Sequence, residues 1–209
     1  MHYSENQVAA MDRFYRLNLI NSITGIKPGN LVGTQSKDGK SNLAIISSVV
    51  HLGSNPALLS FVMRPQQEVK HHTYENIIET GAYTINHIPH QLTEQAHFTS
   101  AKFQKNDSEF GTCGFTEEYR YDFAAPFVAE SEIKVAMRFL EEIHIKANDT
   151  ILIIGSIEHV IVNDSALNED GSINLESANS VGISGLNSYY KVSKIADYPY
   201  ARLENLPKF

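Results

Sequence analysis

Apolar and polar residues alternate along much of this chain. From Glu132, the run EIKVAMRF sets Glu132, Lys134 and Arg138 against Ile133, Val135, Met137 and Phe139, which predicts a strand with one wet and one dry face. TILIIGSIEHVIV is a second long β-branched run, and Gly155 within it predicts a bulge or a close backbone approach. NLVGTQS and SNLAIISSVV flank KDGK, where Asp38-Gly39 signals a two-residue hairpin. ALLSFVMR after Asn55-Pro56 and GAYTINHI predict two further strands, and Asp170-Gly171 predicts another turn. About six strands at short spacing, with few helices, predict a mainly β (α+β) chain built on a closed or half-closed antiparallel barrel.

Helical spacing is confined to short stretches. In MDRFYRLNLINSITG, Met11, Phe14, Leu17 and Leu19 fall near one face, Asp12 precedes Arg16 by four, and Gly25 supplies a stop, so a short helix is expected to pack on a sheet or on a partner. A second helix is expected to begin at His72-Thr73, with Thr73 capping its free N–H groups, and to end at Gly81. Gln91 to Phe127, richer in polar residues and Phe, predicts a helical excursion over one end of the barrel. The tail from Gly185 carries Tyr189, Tyr190, Tyr198 and Tyr200, and this much aromatic surface predicts docking on the domain or across a dimer.

Composition narrows the classes. With 209 residues, 42% hydrophobic and 20% charged, residues 1–209 are expected to form one domain around one core. The net charge of -7 provides no overall positive field, which argues against nucleic acid and anionic membranes as partners. The amino-terminal stretch lacks a signal-peptide pattern, and no apolar run approaches the roughly 20 residues of a spanning helix. A cytoplasmic location is therefore expected. The single cysteine, Cys113, cannot form an internal disulfide.

The chemistry begins with small polar residues in apolar strands: Asn42, Ser47, Ser48 and Ser60. Each costs free energy if buried without a partner. A strand that delivers Arg64 to a loop, followed by a helix start at His72-Thr73, would assemble guanidinium, backbone N–H groups and the positive helix end around an anion such as phosphate. Ser47 and Ser48 would add donors, and Ala44, Ile45 and Ile46 would offer an apolar wall to a planar ring, so a phosphorylated planar cofactor fits. The plainer account leaves the serines on a wet edge, Arg64 as a solvated strand end and Thr73 as a simple cap.

Other chemistries find less support. Nine histidines, among them His71, His72, His87, His90 and His97, lack HExxH or comparable metal-ligand spacing, so no metal site is expected. Cys113 has no identifiable base, no GxSxG elbow exists, and Glu130, Glu141 and Glu142 read as solvated charges. GxGxxG and P-loop motifs are also absent, so the chain offers no dedicated dinucleotide crevice and no nucleotide triphosphate cradle. No catalytic acid or base is named.

The succession SNLAIISSVVHLGSNPALLSFVMRP, HHTYENIIETGAYTINHI, QAHFTSAKF with DSEF, and APFVAESEIKV resembles the flavin reductase-like family, which binds FMN in a split β-barrel. The resemblance runs from about Gly29 to about Val162, and the ending GLNSYYKVSKIADYPYAR is similar to one subgroup. It implies a homodimer with FMN near the subunit interface, the isoalloxazine against Asn42 to Ser48 and the phosphate near Ser47, Ser48, Arg64, His72 and Thr73. By the same resemblance His97 and Ser100 approach the cofactor, and electrons pass from NADH or NADPH through flavin to a small-molecule acceptor. The rival implication is a flavin-binding electron carrier that does not itself oxidise a nicotinamide.

Overall fold

A computed structural model describes residues 1–65, 71–104 and 107–207. Two short helices, α1 (Glu5–Ala10) and α2 (Arg13–Ser22), lead into β1 (Lys27–Pro28), β2 (Asn30–Gln35), β3 (Ser41–Ile46), β4 (Val50–Ser54) and β5 (Ala57–Met63). Helix α3 (His72–Thr80) precedes β6 (Ala82–His87), and the excursion that follows holds α4 (Thr93–Phe98), α5 (Glu109–Cys113), β7 (Glu117–Glu118) and β8 (Phe127–Val128). The chain closes with the long strands β9 (Ile133–Ile145) and β10 (Thr150–Val162), then β11 (Val181–Ser184) and β12 (Ser188–Lys191).

Seven strands form one antiparallel sheet in the order β3-β2-β6-β9-β10-β5-β4. β3 and β4 follow each other in sequence yet occupy opposite edges of that sheet. Only Ser47, Ser48 and Val49 join them, so the sheet must curl until its edges meet. The apolar run SNLAIISSVV, one strand in the sequence pattern, is thus two strands with a crossover between them. Ser48 fixes the corner: its hydroxyl accepts from the Val62 N–H at 3.0 Å and donates to the Val62 carbonyl at 3.2 Å.

Strand alternation divides the core in two. Val32, Phe61, Tyr83, Ile85, Val135, Met137, Ile151 and Ile153 fill the barrel, with Ile77 of α3 packed into the same cluster. Leu31, Leu43, Phe110, Cys113, Val181 and Ile183 form a second cluster outside β2 and β3, under α4, α5 and β11. Cys113 packs there as a small hydrophobe.

The β2–β3 pairing is as expected, but the connection is five residues long. Gln35 pairs with Ser41, and of the loop residues Gly39 alone has positive φ, at 78°, so Asp38-Gly39 is not a two-residue turn. Gly155 marks both a register shift and a close approach: a Cβ there would sit 2.3 Å from the Tyr83 hydroxyl. The face of β9 expected to be wet is covered at Lys134, which is 5% exposed. Its ammonium pairs with Glu118 and donates to the Ala129 carbonyl at 3.0 Å, and this pairing offsets the cost of burying a cation.

α2 forms with Asp12 as its cap; none of its residues is buried, and Phe14 and the following cap residue Ile23 are 68% and 67% exposed. The tail docks only in part. Tyr189 and Tyr190 pair into a small sheet, β1-β11-β12, whereas Tyr198 and Tyr200 beyond it are each 86% exposed.

Candidate functional site

The crossover holds Ser47 and Ser48, two of the small polar residues that the strand pattern left unexplained. Ala44 to Val49 form a half-buried run at the closing edge of the barrel, in a chain whose neighbouring strand residues are mostly sealed. Ser48 holds the backbone of Val62, and two residues further the exposed Arg64 leaves the end of β5. Arg64 lies near the start of α3. Burial, then the charges of Arg64 and His72, pull the His71 imidazole below its ordinary value. The fixed charge of Arg64 near a helix N-terminus favours an anion there.

Helix α3 starts differently from the sequence expectation. His71 is the cap residue, and its side chain makes no capping bond to the first turn among the described residues. Thr73 lies inside the helix and is 4% exposed; its hydroxyl accepts from the Asn42 amide at 2.9 Å. Asn42 also reaches Thr34 at 3.4 Å, and Asn76 donates to the same Thr34 hydroxyl at 3.1 Å. These four residues form a buried polar knot that joins β2, β3 and α3. Asn42 and Thr73 therefore meet each other, and they tie the first turn of α3 to the start of β3. Beside the knot a cleft of about 220 Å³ is lined by Lys40, Asn42 and His72, among others.

Ala44, Ile45 and Ile46 do not form a single wall. Strand geometry sends Ile45 into the outer cluster with Leu43, while Ile46 joins the barrel cluster. Half-buried backbone at the strand end is the surface that remains for a ring. His97 and Ser100 lie at the end of α4, beside β3. Next to them the Thr99 hydroxyl accepts from the Ile45 N–H at 3.0 Å, while Ser100 donates to the His97 carbonyl at 2.7 Å. His97 itself meets Tyr189 of β12, with Nδ1 3.1 Å from the phenol oxygen.

The sequence did not single out Thr34, Asn76, Thr99 or Glu109. Their roles depend on partners 8 to 66 positions away. Thr99 and Glu109 do lie within the HFTS and DSEF segments. Ser60 is fully buried, and its hydroxyl has no partner among the described residues. No group of three or more His, Cys, Asp or Glu among the described residues is placed to hold a metal ion. No helix among them is long and apolar enough to cross a membrane.

An Arg64 guanidinium, an uncapped helix end and half-buried strand backbone suit a ligand with a phosphate and a flat polar ring, so the residues present fit FMN. Residues 26–177 match the profile of the flavin reductase like domain. A Shewanella frigidimarina protein described as a flavin reductase with a split barrel domain is 46% identical, with a TM-score of 0.92 over 96% of this chain and 100% of that one. Flavoredoxin of Desulfovibrio vulgaris is 23% identical, with a TM-score of 0.74 over 85% and 92% of the two chains. The FMN-binding domain of a flavin reductase-like enzyme from Shewanella baltica is 19% identical, with a TM-score of 0.69 over 83% and 90%. These last two likenesses bear on the fold alone.

Proposed function

This chain belongs to the flavin reductase-like family, with a split-barrel fold, and from that premise we propose that it binds FMN at the β3–β4 crossover and reduces it with NADH or NADPH. The observation that supports the proposal is that Arg64, two residues beyond the Val62 that Ser48 holds, lies close enough to the His71 end of α3 to lower its imidazole. Arg64 and the free N–H groups of α3 hold the phosphate, with Ser47 at the same corner. The backbone of β3 orients the ring, and His97 and Ser100 border it from α4. Bound FMN supplies the electron-transfer chemistry, accepting a hydride and passing electrons to a small-molecule acceptor. The residues therefore bind and position, and none serves as an acid or base.

The site lies beside uncovered apolar surface. Val50 and Leu52 of β4 and Val62 of β5 are 47%, 46% and 37% exposed, next to Ser48 and Arg64. A homodimer that covers this surface places FMN near the interface and gives the exposed tail residues Tyr198 and Tyr200 a partner. The lone, buried Cys113 suits a reducing cytoplasm.

The test is a visible spectrum of the purified protein with equimolar FMN, before and after anaerobic NADH or NADPH. Shifted flavin bands that bleach rapidly are the expected result. Shifted bands that stay oxidised would make the protein a flavin carrier. Unshifted bands, with FMN lost on desalting, would contradict tight flavin binding.

A further inference from the structure

β3 is an edge strand. Its inner side bonds to β2, and among the described residues no strand is hydrogen-bonded to its outer side. Side chains from the 91–127 excursion take the place of that missing strand. The Leu43 N–H donates to Glu109 Oε2 at 2.9 Å, and the Ile45 N–H donates to Thr99 Oγ1 at 3.0 Å. At the preceding outward position, the Ser41 hydroxyl donates to Glu117 and lies 2.8 Å from that of Ser108.

Both acceptors are sealed and aimed. Thr99 is 4% exposed and donates its own proton to the Ala96 carbonyl at 2.8 Å, which leaves its lone pairs for Ile45. Glu109 is 5% exposed, and burial pushes its carboxyl above the ordinary range, with the Leu43 N–H opposing that rise. An apolar side chain would fill the same space without the desolvation cost, so these polar groups matter for what they hold. The positions they hold, 43 and 45, step toward Ser47, the next in the row and the first residue of the crossover.

We propose that Thr99 and Glu109 are positioning residues that fix where the backbone of β3 meets the flavin, a role that rests on the FMN reading above. They act through the N–H groups of Ile45 and Leu43. Loss of either acceptor lets the strand end shift toward or away from the ring, so affinity and flavin spectrum change together.

The experiment compares the full-length wild type with Thr99→Val, Thr99→Ser and Glu109→Gln. FMN titration and the visible spectrum of bound flavin are the readouts, and denaturant unfolding without FMN monitors the fold. Thr99→Val is expected to weaken FMN binding about three- to tenfold, the effect of one lost hydrogen bond, and to move the flavin bands. Thr99→Ser is expected to restore both, and Glu109→Gln, which keeps an acceptor oxygen, to stay near wild type. If Thr99→Val does not fold, Thr99→Ala, which admits water to the Ile45 N–H, gives the same comparison with the same expected signs. A variant that unfolds more easily but binds FMN with wild-type affinity and spectrum overturns the proposal alone. A wild type that does not bind FMN overturns the flavin reading, and the positioning role with it.

Discussion

The barrel interior and the crossover rim are built from neighbouring residues of the same strands, yet they differ in almost every physical respect. Inside, Phe61 and Tyr83 are fully buried and meet edge to face at 5.7 Å among aliphatic partners. At the rim, Arg64 is exposed, Ser47 and Ser48 are half-buried, and the start of α3 lacks a side-chain cap. Only Val62 and Met63, the last two residues of β5, separate Phe61 from Arg64. The interior maximises apolar contact, whereas the rim is polar and carries the Arg64 charge at the surface. Stability and binding therefore reside in separable sets of residues, and substitutions should divide accordingly.

The largest effect is expected from Phe61→Ala, which removes a ring from a sealed cluster and should cost about 3–5 kcal/mol in denaturant unfolding. A loss below about 1 kcal/mol would mean that the barrel is not the stabilising unit. Next comes acid. Burial pulls the half-buried His87, with its Nδ1 3.0 Å from the Ser180 hydroxyl, from 6.5 to about 4. Its ring stays neutral in the fold while the unfolded chain takes up a proton first. Its contribution is therefore complete above pH 6.5 and falls away as the pH drops toward 4, by a total on the order of 3 kcal/mol. His87→Gln should flatten that part of the stability profile, and an unchanged profile would contradict the assignment.

Gly155→Ala should cost about 1–3 kcal/mol, because the added methyl meets the Tyr83 hydroxyl and, at 2.9 Å, the Arg138 carbonyl. Tyr83→Phe removes a buried hydroxyl that has no partner among the described residues, so combining the two should recover much of that loss. Strict additivity of the two changes would show that they do not meet.

The strands themselves were legible because their alternation is local. β2, β3, β5, β6, β9 and β10 all follow the apolar pattern; Gly81 punctuates as its positive φ requires, and Gly155 as the close approach of Tyr83 requires. The break after Ile46 was not legible, since Ser47 to Val49 continue a strand-like sequence and only closure of the sheet bends them. Lys134 misled for a similar reason: alternation assigns it to water, and the residues that cover it and pair with it come from the separate 118–129 segment.

The site shows the same division. Arg64 and the α3 start are brought together as their types suggested, but Thr73 turned out to be a buried partner of Asn42. A hydroxyl near a helix start fits either role, and only the position of β3 decides between them. Glu109 and Thr99 were invisible as strand acceptors because an edge strand's unmet N–H groups carry no side-chain signature.

The most direct measurement is an FMN titration of the wild type and Arg64→Ala, with the unfolding free energy of each determined alongside. Arg64→Ala is expected to weaken FMN binding by about 1.5–3 kcal/mol, the loss of one charged hydrogen bond, while stability stays within about 0.5 kcal/mol of wild type. Equal affinity in the two proteins would contradict a phosphate site at the crossover.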